Sequence, residues 1–222
     1  MKKMIAILMI LALLPLCAFA EEENEQALPP MKSVGSERYT NTYLGYALDL
    51  PTYFYFLGED TAAEQTAYIN ENAGEDDDTV YDMHLWVAYI NNEDYILFEV
   101  QLKECTYDSF ETEVAMAPQY AEITNAQLKK EGSRDMVVQL HDGVLRDTPM
   151  GRMLETAYVR VGVNEDGTHE SETVVYYDFY YNTIEYCFVL EVPDGYFTLE
   201  EIQGLLDEMM QTVDIELVLG AA

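Results

Sequence analysis

Three histidines, three cysteines and 42 carboxylates are the side chains of this 222-residue chain from which catalysis or metal binding would have to be built. His84, His141 and His169 lie far apart, and none falls in an H-x₂₋₃-H or HExxH spacing, so zinc chemistry finds no local ligand set. No G-x-S-x-G turn exposes a serine, and no glycine-rich loop could cradle a phosphate. Cys105 and Cys187 lack the surroundings of a papain-type nucleophile. Carboxylates are so frequent that some pair must stand at glycosidase separation by chance, which deprives that criterion of meaning. A hydrolase would need a site assembled from scattered residues such as His141, Asp142 and a distant serine or carboxylate. No residue is assigned a catalytic role.

Residues suited to binding are easier to find. Asp76, Asp77, Asp78 and Asp82, with Glu75, offer hard oxygen ligands, and weak calcium binding is the one metal reading they support. The run GEDDDTVYD lacks the alternating D-x-D-x-D-G spacing that turns successive ligands inward, so a solvated acidic loop is the competing reading; no other cofactor is implied. In ETVVYYDFYYN, Tyr176, Asp178 and Tyr180 share one face of a strand, and Tyr177, Phe179 and Tyr181 share the other. Both faces cannot be ordinary surface: one enters the core, and the other is covered or binds a ligand. Tyr177 and Tyr181 are candidates for that contact, since a tyrosine ring brings an apolar body and a polar tip. Arg146 and Arg152 are the matching polar candidates. They belong to a window, 129–160, that holds Lys129, Lys130, Arg134, Arg146, Arg152 and Arg160 beside five acids. Such a window pairs its charges on a solvated face or receives an acidic partner or carboxylate ligand.

Charge narrows the partners. The formal charge is −31, and without Lys2 and Lys3 nine basic residues face 42 acidic ones, a charge of −33. That field repels phosphate backbones and anionic lipid, excluding nucleic-acid and anionic-membrane binding. With 18 Tyr and 8 Phe the chain nevertheless has the material for a core. The expected partner is a protein or a small ligand.

The N-terminus reads as an export signal. Lys2 and Lys3 precede an apolar run from Met4 to Leu14, Pro15 breaks it, and Ala18-Phe19-Ala20 supplies small residues at −3 and −1. The run is shorter than the roughly 20 apolar residues that span a bilayer, which favours cleavage after Ala20 and release without membrane insertion. Leu16 is too large to make Cys17 a good lipidation site. The expected organisation is a signal peptide at 1–20, a flexible acidic linker at 21–37, one domain at 38–216 and a tail at 217–222. In an oxidising location Cys105 and Cys187 can form a disulfide, although spacing alone does not bring them together.

The elements that must position these residues follow from period and punctuation. TNTYLG and YALDLP read as short β segments. Residues 61–72 read as a helix capped by Thr61. HLWVAYI and YILFEVQL flank a polar turn as a hairpin. In the latter, Ile96, Phe98, Val100 and Leu102 share one face, with Glu99, Gln101 and Lys103 on the other. Trp86 takes the phase of the core. A helical region from Asp108 to Lys130 is interrupted at Pro118. A β meander follows, and Thr198-Leu-Glu-Glu201 opens a last helix with a capping box and an apolar stripe that lays it on the sheet.

That order, with Gly45-Tyr-Ala-Leu-Asp-Leu-Pro51 near its start, resembles the PsbP-like superfamily and its "gf-sI-yP" phrase; after the proline this chain continues Thr52-Tyr53-Phe54. Over about 39–216 the resemblance implies an α+β domain, an antiparallel sheet flanked by helices as an α/β/α sandwich. Similar proteins include many exported bacterial ones of unknown role, and they mostly bind or assist other proteins. No functional residue carries over. The resulting expectation is an exported, non-catalytic binding or accessory module, with a secreted hydrolase as the alternative.

Overall fold

The computed structural model describes residues 36–41, 46–72, 80–91, 94–104, 107–148, 151–164, 166–181 and 184–214. Eight antiparallel strands make one sheet: β3 (Tyr55–Phe56), β4 (Val80–Tyr89), β5 (Tyr95–Glu104), β10 (Ile184–Pro193), β9 (His169–Tyr181), β8 (Gly151–Val163) and β6 (Met136–Gln139) in spatial order, with β7 (Val144–Thr148) also on the free side of β8. The hairpin read from the sequence is β4–β5. A separate two-stranded ribbon joins β1 (Ser36–Asn41) to β2 (Tyr46–Pro51). Four α-helices complete the described fold: α1 (Glu59–Asn72), α2 (Tyr107–Met116), α3 (Tyr120–Glu131) and α4 (Leu199–Met210).

Strand alternation gives the sheet two unlike faces. On the first, Phe98, Val100 and Leu102 of β5 meet Tyr186, Phe188 and Leu190 of β10 and Val175, Tyr177 and Phe179 of β9. Ile202, Leu205, Leu206 and Met209 of α4 and Leu48 and Leu50 of β2 close over them. Each such side chain contributes about 1.5–3 kcal/mol on burial. Trp86 is core here, at 3% exposure. The chain after α4 ties the ribbon down through reciprocal Ala47–Asp214 backbone bonds of 2.8 and 2.9 Å.

α1 packs Ile69 against Met83, Leu85 and Val87 on the second face. α3 places Ala121 against Val137, Tyr158 and Val174, and α2 places Phe110 against Leu154. Helices on both faces make an α/β/α sandwich.

Local chemistry explains the boundaries. Pro118 falls in a 3₁₀ turn, Ala117–Gln119, that separates α2 from α3, as the missing N–H requires. Gly132 ends α3 at φ 78°, where a side chain would be strained. Gly143, at φ 87°, turns β6 into β7 so close to the 3₁₀ turn that a Cβ would lie 2.9 Å from that of Ala117. Thr198 caps α4 with the reciprocal Glu201 bonds. Thr61 does not cap α1, which begins two residues earlier at Glu59.

Candidate functional site

The second face carries charge where a sheet interior normally carries none. Period 2 puts Glu99, Gln101 and Lys103 of β5, Glu185, Cys187 and Glu191 of β10, Glu172 and Asp178 of β9 and Arg160 of β8 on this side. They separate into two polar layers. Between them lies an apolar and aromatic band in which Tyr120 of α3 stacks on Tyr158 at 4.9 Å and Tyr158 on Tyr176 at 5.4 Å.

One layer lies toward the α2 end. Glu185 is fully buried, with the Glu113 side chain against its carboxylate. Asp178, Cys187, Lys103 and Glu113 of α2 surround it. Burial, then the charge of Glu185, pushes the Glu113 carboxyl up to about 9 and that of Asp178 to about 7. Burial works against the Lys103 ammonium, yet the acids around it hold its pKa well above the ordinary value.

The other layer opens to solvent. Arg160, only 6% exposed, sets its Nε 2.9 Å from Glu172 and its Nη2 against Glu191. Burial and then the Glu191 charge push Glu99 up to about 8; burial, relieved in part by Arg160, leaves Glu172 at about 7. Over this layer is a cleft of about 600 Å³, within the ~300–1,000 Å³ usual for ligand sites. Among the described residues, its floor and walls come from strands and turns, including Tyr95, Leu97, Arg160, Glu172, Asp194 and Tyr196. Neutral donors hold its rim carboxylates. Ser171 and Thr173 hydroxyls donate to Asp194 at 2.6 and 3.0 Å, and Tyr196 and Asn91 donate to Asp94 at 2.5 and 2.9 Å. The two bonds to Asp94 hold its carboxyl below the usual range. The Tyr95 hydroxyl is buried without a hydrogen-bond partner among the described residues.

The residues expected to bind a ligand sit elsewhere. Tyr177 is fully buried on the apolar face and donates to Asp207 of α4 at 2.6 Å, so it has no surface to offer. On β9 the face of Tyr177 is the core side, and the face carrying Asp178 is the polar one, the reverse of the expected assignment. Arg146 does meet Tyr177, its guanidinium carbon 5.7 Å from the ring centroid. It pairs with Glu155 at 2.5 Å and Asp207 at 3.2 Å, which makes it a brace between β7, β8 and α4. Arg152 stands apart, exposed, 3.5 Å from Glu111. The side chain of Tyr181 lies outside the described residues.

Asp76, Asp77 and Asp78 lie outside the described residues too, and the backbone of Asp82 belongs to β4, opposite Leu102, and not to the acidic turn. Among the described residues no three His, Cys, Asp or Glu side chains converge as metal ligands. Cys187 is a free thiol buried beside Asp178; Cys105, the other half of the possible disulfide, lies outside the described residues.

His141 does approach a carboxylate, with Nε2 3.3 Å from Glu155. Its Nδ1 accepts the Gly143 N–H at 3.2 Å, while Nε2 is buried without a hydrogen-bond partner among the described residues.

Sheet, ribbon and helical layers define a PsbP-like α+β fold. Among solved structures, that of cyanobacterial PsbP (CyanoP) from Synechocystis sp. PCC 6803 matches with a TM-score of 0.52 at 11% identity, covering 84% of this chain and 96% of that one. The Ran-binding protein Mog1p of Saccharomyces cerevisiae matches at TM-score 0.41 and 12% identity, over 82% of this chain and 96% of its own. A Bacteroides thetaiotaomicron protein matches at TM-score 0.38 and 13% identity, over 82% of this chain and 48% of its own. No protein-family model and no curated protein sequence matches the chain.

Proposed function

We propose that this protein is an exported, non-catalytic binding or accessory module whose ligand site is the cleft above Arg160. The cleft carries the reading: it is concave, open, of ligand size, and floored by a buried ion cluster. Taking an arginine and its carboxylates out of water costs several kcal/mol per ion, and apolar residues of the same volume would hold the strands at least as well. The cluster is therefore better explained by recognition than by stability. The leader supports export.

Two measurements test this. A bulky Ser171→Trp at the cleft rim should abolish the thermal stabilisation given by whichever member of a panel of charged and neutral small molecules and peptides binds the parent protein. Binding that survives the block, or no binder at all, contradicts the assignment. Exported protein should begin at Glu21 by intact mass; retention of Met1 contradicts the leader reading. For the competing chemistry, His141→Ala should leave any trace of ester hydrolysis unchanged.

A further inference from the structure

The lining of the cleft also defines the ligand it would take. Among the described residues, five carboxylates (Asp94, Glu170, Glu172, Glu191 and Asp194) face one guanidinium, that of Arg160, which Glu172 and Glu191 already share. Glu170 accepts from the Asn164 amide at 3.2 Å, so it too is held by a neutral donor. Tyr95 and Tyr196 add aromatic rings to the same walls, and the Tyr95 hydroxyl has no hydrogen-bond partner among the described residues. An anion would meet this ring of carboxylates before reaching the 6%-exposed Arg160. A bare divalent metal would need converging ligands, and none of the described residues converge in that way. A cation with an apolar stem satisfies both features: its head meets the carboxylates, and its stem lies on the rings.

We propose, building on the assignment of the cleft as the ligand site, that it takes an organic cation: the ammonium or guanidinium head of a lysine or arginine side chain, or of a free amine of the same chemistry. The net charge of −31 steers such a ligand toward the protein, and the cleft supplies the site where it is held.

Binding is linked to protons. The groups concerned are Tyr95 and Glu99 of β5, Glu191 of β10, His169 and Glu172 of β9, Arg160 of β8, and Asp94 and Asp194 in the turns. Burial, and with it the charge of Glu191, raises the carboxyls of Glu172 to about 7 and Glu99 to about 8, so both hold protons near neutrality. A bound cation lets them ionise, so binding releases protons and tightens as pH rises from 6 to 8.

Isothermal titration calorimetry of the protein with a lysine pentapeptide, a glutamate pentapeptide and spermidine tests this. The lysine peptide, spermidine or both should bind, more tightly at pH 8 than at pH 6, and the two arms tell a protein segment from a free amine. The double variant Glu172→Gln/Glu191→Gln should weaken binding at least about tenfold, since each buried charge pair lost is worth well over 1.4 kcal/mol. Glu64→Gln/Glu122→Gln, which removes the same charge from exposed helical positions, should change it less than about twofold. Ser171→Trp supplies a second block that leaves every carboxylate in place, should the cleft double variant fail to fold. Equal weakening by both double variants would overturn the proposal, because it would show attraction to the diffuse field. Binding of the glutamate peptide, blocked by Ser171→Trp, would overturn the cationic ligand while keeping the cleft as the site. If neither peptide nor spermidine binds, the proposal falls, and a different binder from the wider panel would still support the cleft.

Discussion

The two faces of the sheet are built from the same strands and obey different physics. On the α4 face, Phe98, Phe188 and Leu206 are buried to 0% exposure within a continuous apolar cluster. On the opposite face, the same β5 and β10 carry Glu99, Glu185 and Glu191, buried almost as deeply, with Arg160 and Lys103 as the main counterions. The first face accounts for the fold. The second dissipates part of that stability in desolvating charge, and it is where the cleft opens. An alternating strand need not mean one wet face and one dry one: here the polar alternates are also covered, and burial raises the Glu99 carboxyl.

The largest test of this contrast is truncation on the apolar side. Phe188→Ala should cost about 3–5 kcal/mol in a denaturant melt, the usual range for a buried ring. A loss below 1 kcal/mol would mean that this face is not the principal core. On the charged side, Arg160→Ala should cost a similar ~3–5 kcal/mol, since it strands two buried carboxylates. The triple change Arg160→Met/Glu172→Leu/Glu191→Leu should recover parental stability or exceed it. That pairing of results sharpens the comparison: charge on this face is costly when broken and dispensable when replaced.

Proton binding gives the next effect. Glu99 at about 8, Glu113 at about 9, and Asp178 and Glu172 at about 7 all lie above their unfolded values near 4. The folded state therefore binds more protons than the unfolded one between these limits. The stability these groups contribute is complete below about pH 4 and is lost as pH rises through 7 to 9. Thermal melts should give a higher Tm at pH 5.5 than at pH 9, and Glu113→Gln should flatten the upper part of that curve. A Tm that rises toward pH 9 would contradict the burial of these carboxyls. The smallest effect is local: Thr198→Ala should cost about 1 kcal/mol by removing the α4 cap.

Much of the architecture was legible because it depends on local rules. The capping box at Thr198, the break at Pro118, the β4–β5 hairpin and the Ile96–Leu102 alternation all appear in the structure as read. Thr61 failed as a cap because α1 begins earlier, a boundary that propensity does not resolve. The site was harder. The alternation gave the two faces of β9, but choosing which face was core needed knowledge of α4 lying over Tyr177. The cleft draws on turns and strands that are distant in sequence, from Asp94 to Tyr196, and it surrounds a single arginine whose partners no spacing rule connects. One signal was available: Glu99 and Glu191, each alternating with apolar neighbours on a strand otherwise fit for burial, marked acids that would have to be covered or used.

The most direct test maps a cation onto the molecule. Amide chemical shifts recorded by ¹⁵N–¹H NMR during titration with the lysine pentapeptide should move at Tyr95, Arg160, Gly162, Ser171 and Glu172, around the cleft. Those of Arg146, Glu155 and Asp207 at the brace should stay in place. Shifts confined to the brace, or spread evenly over the acidic surface, would contradict the assignment of the charged face as the place where this protein binds.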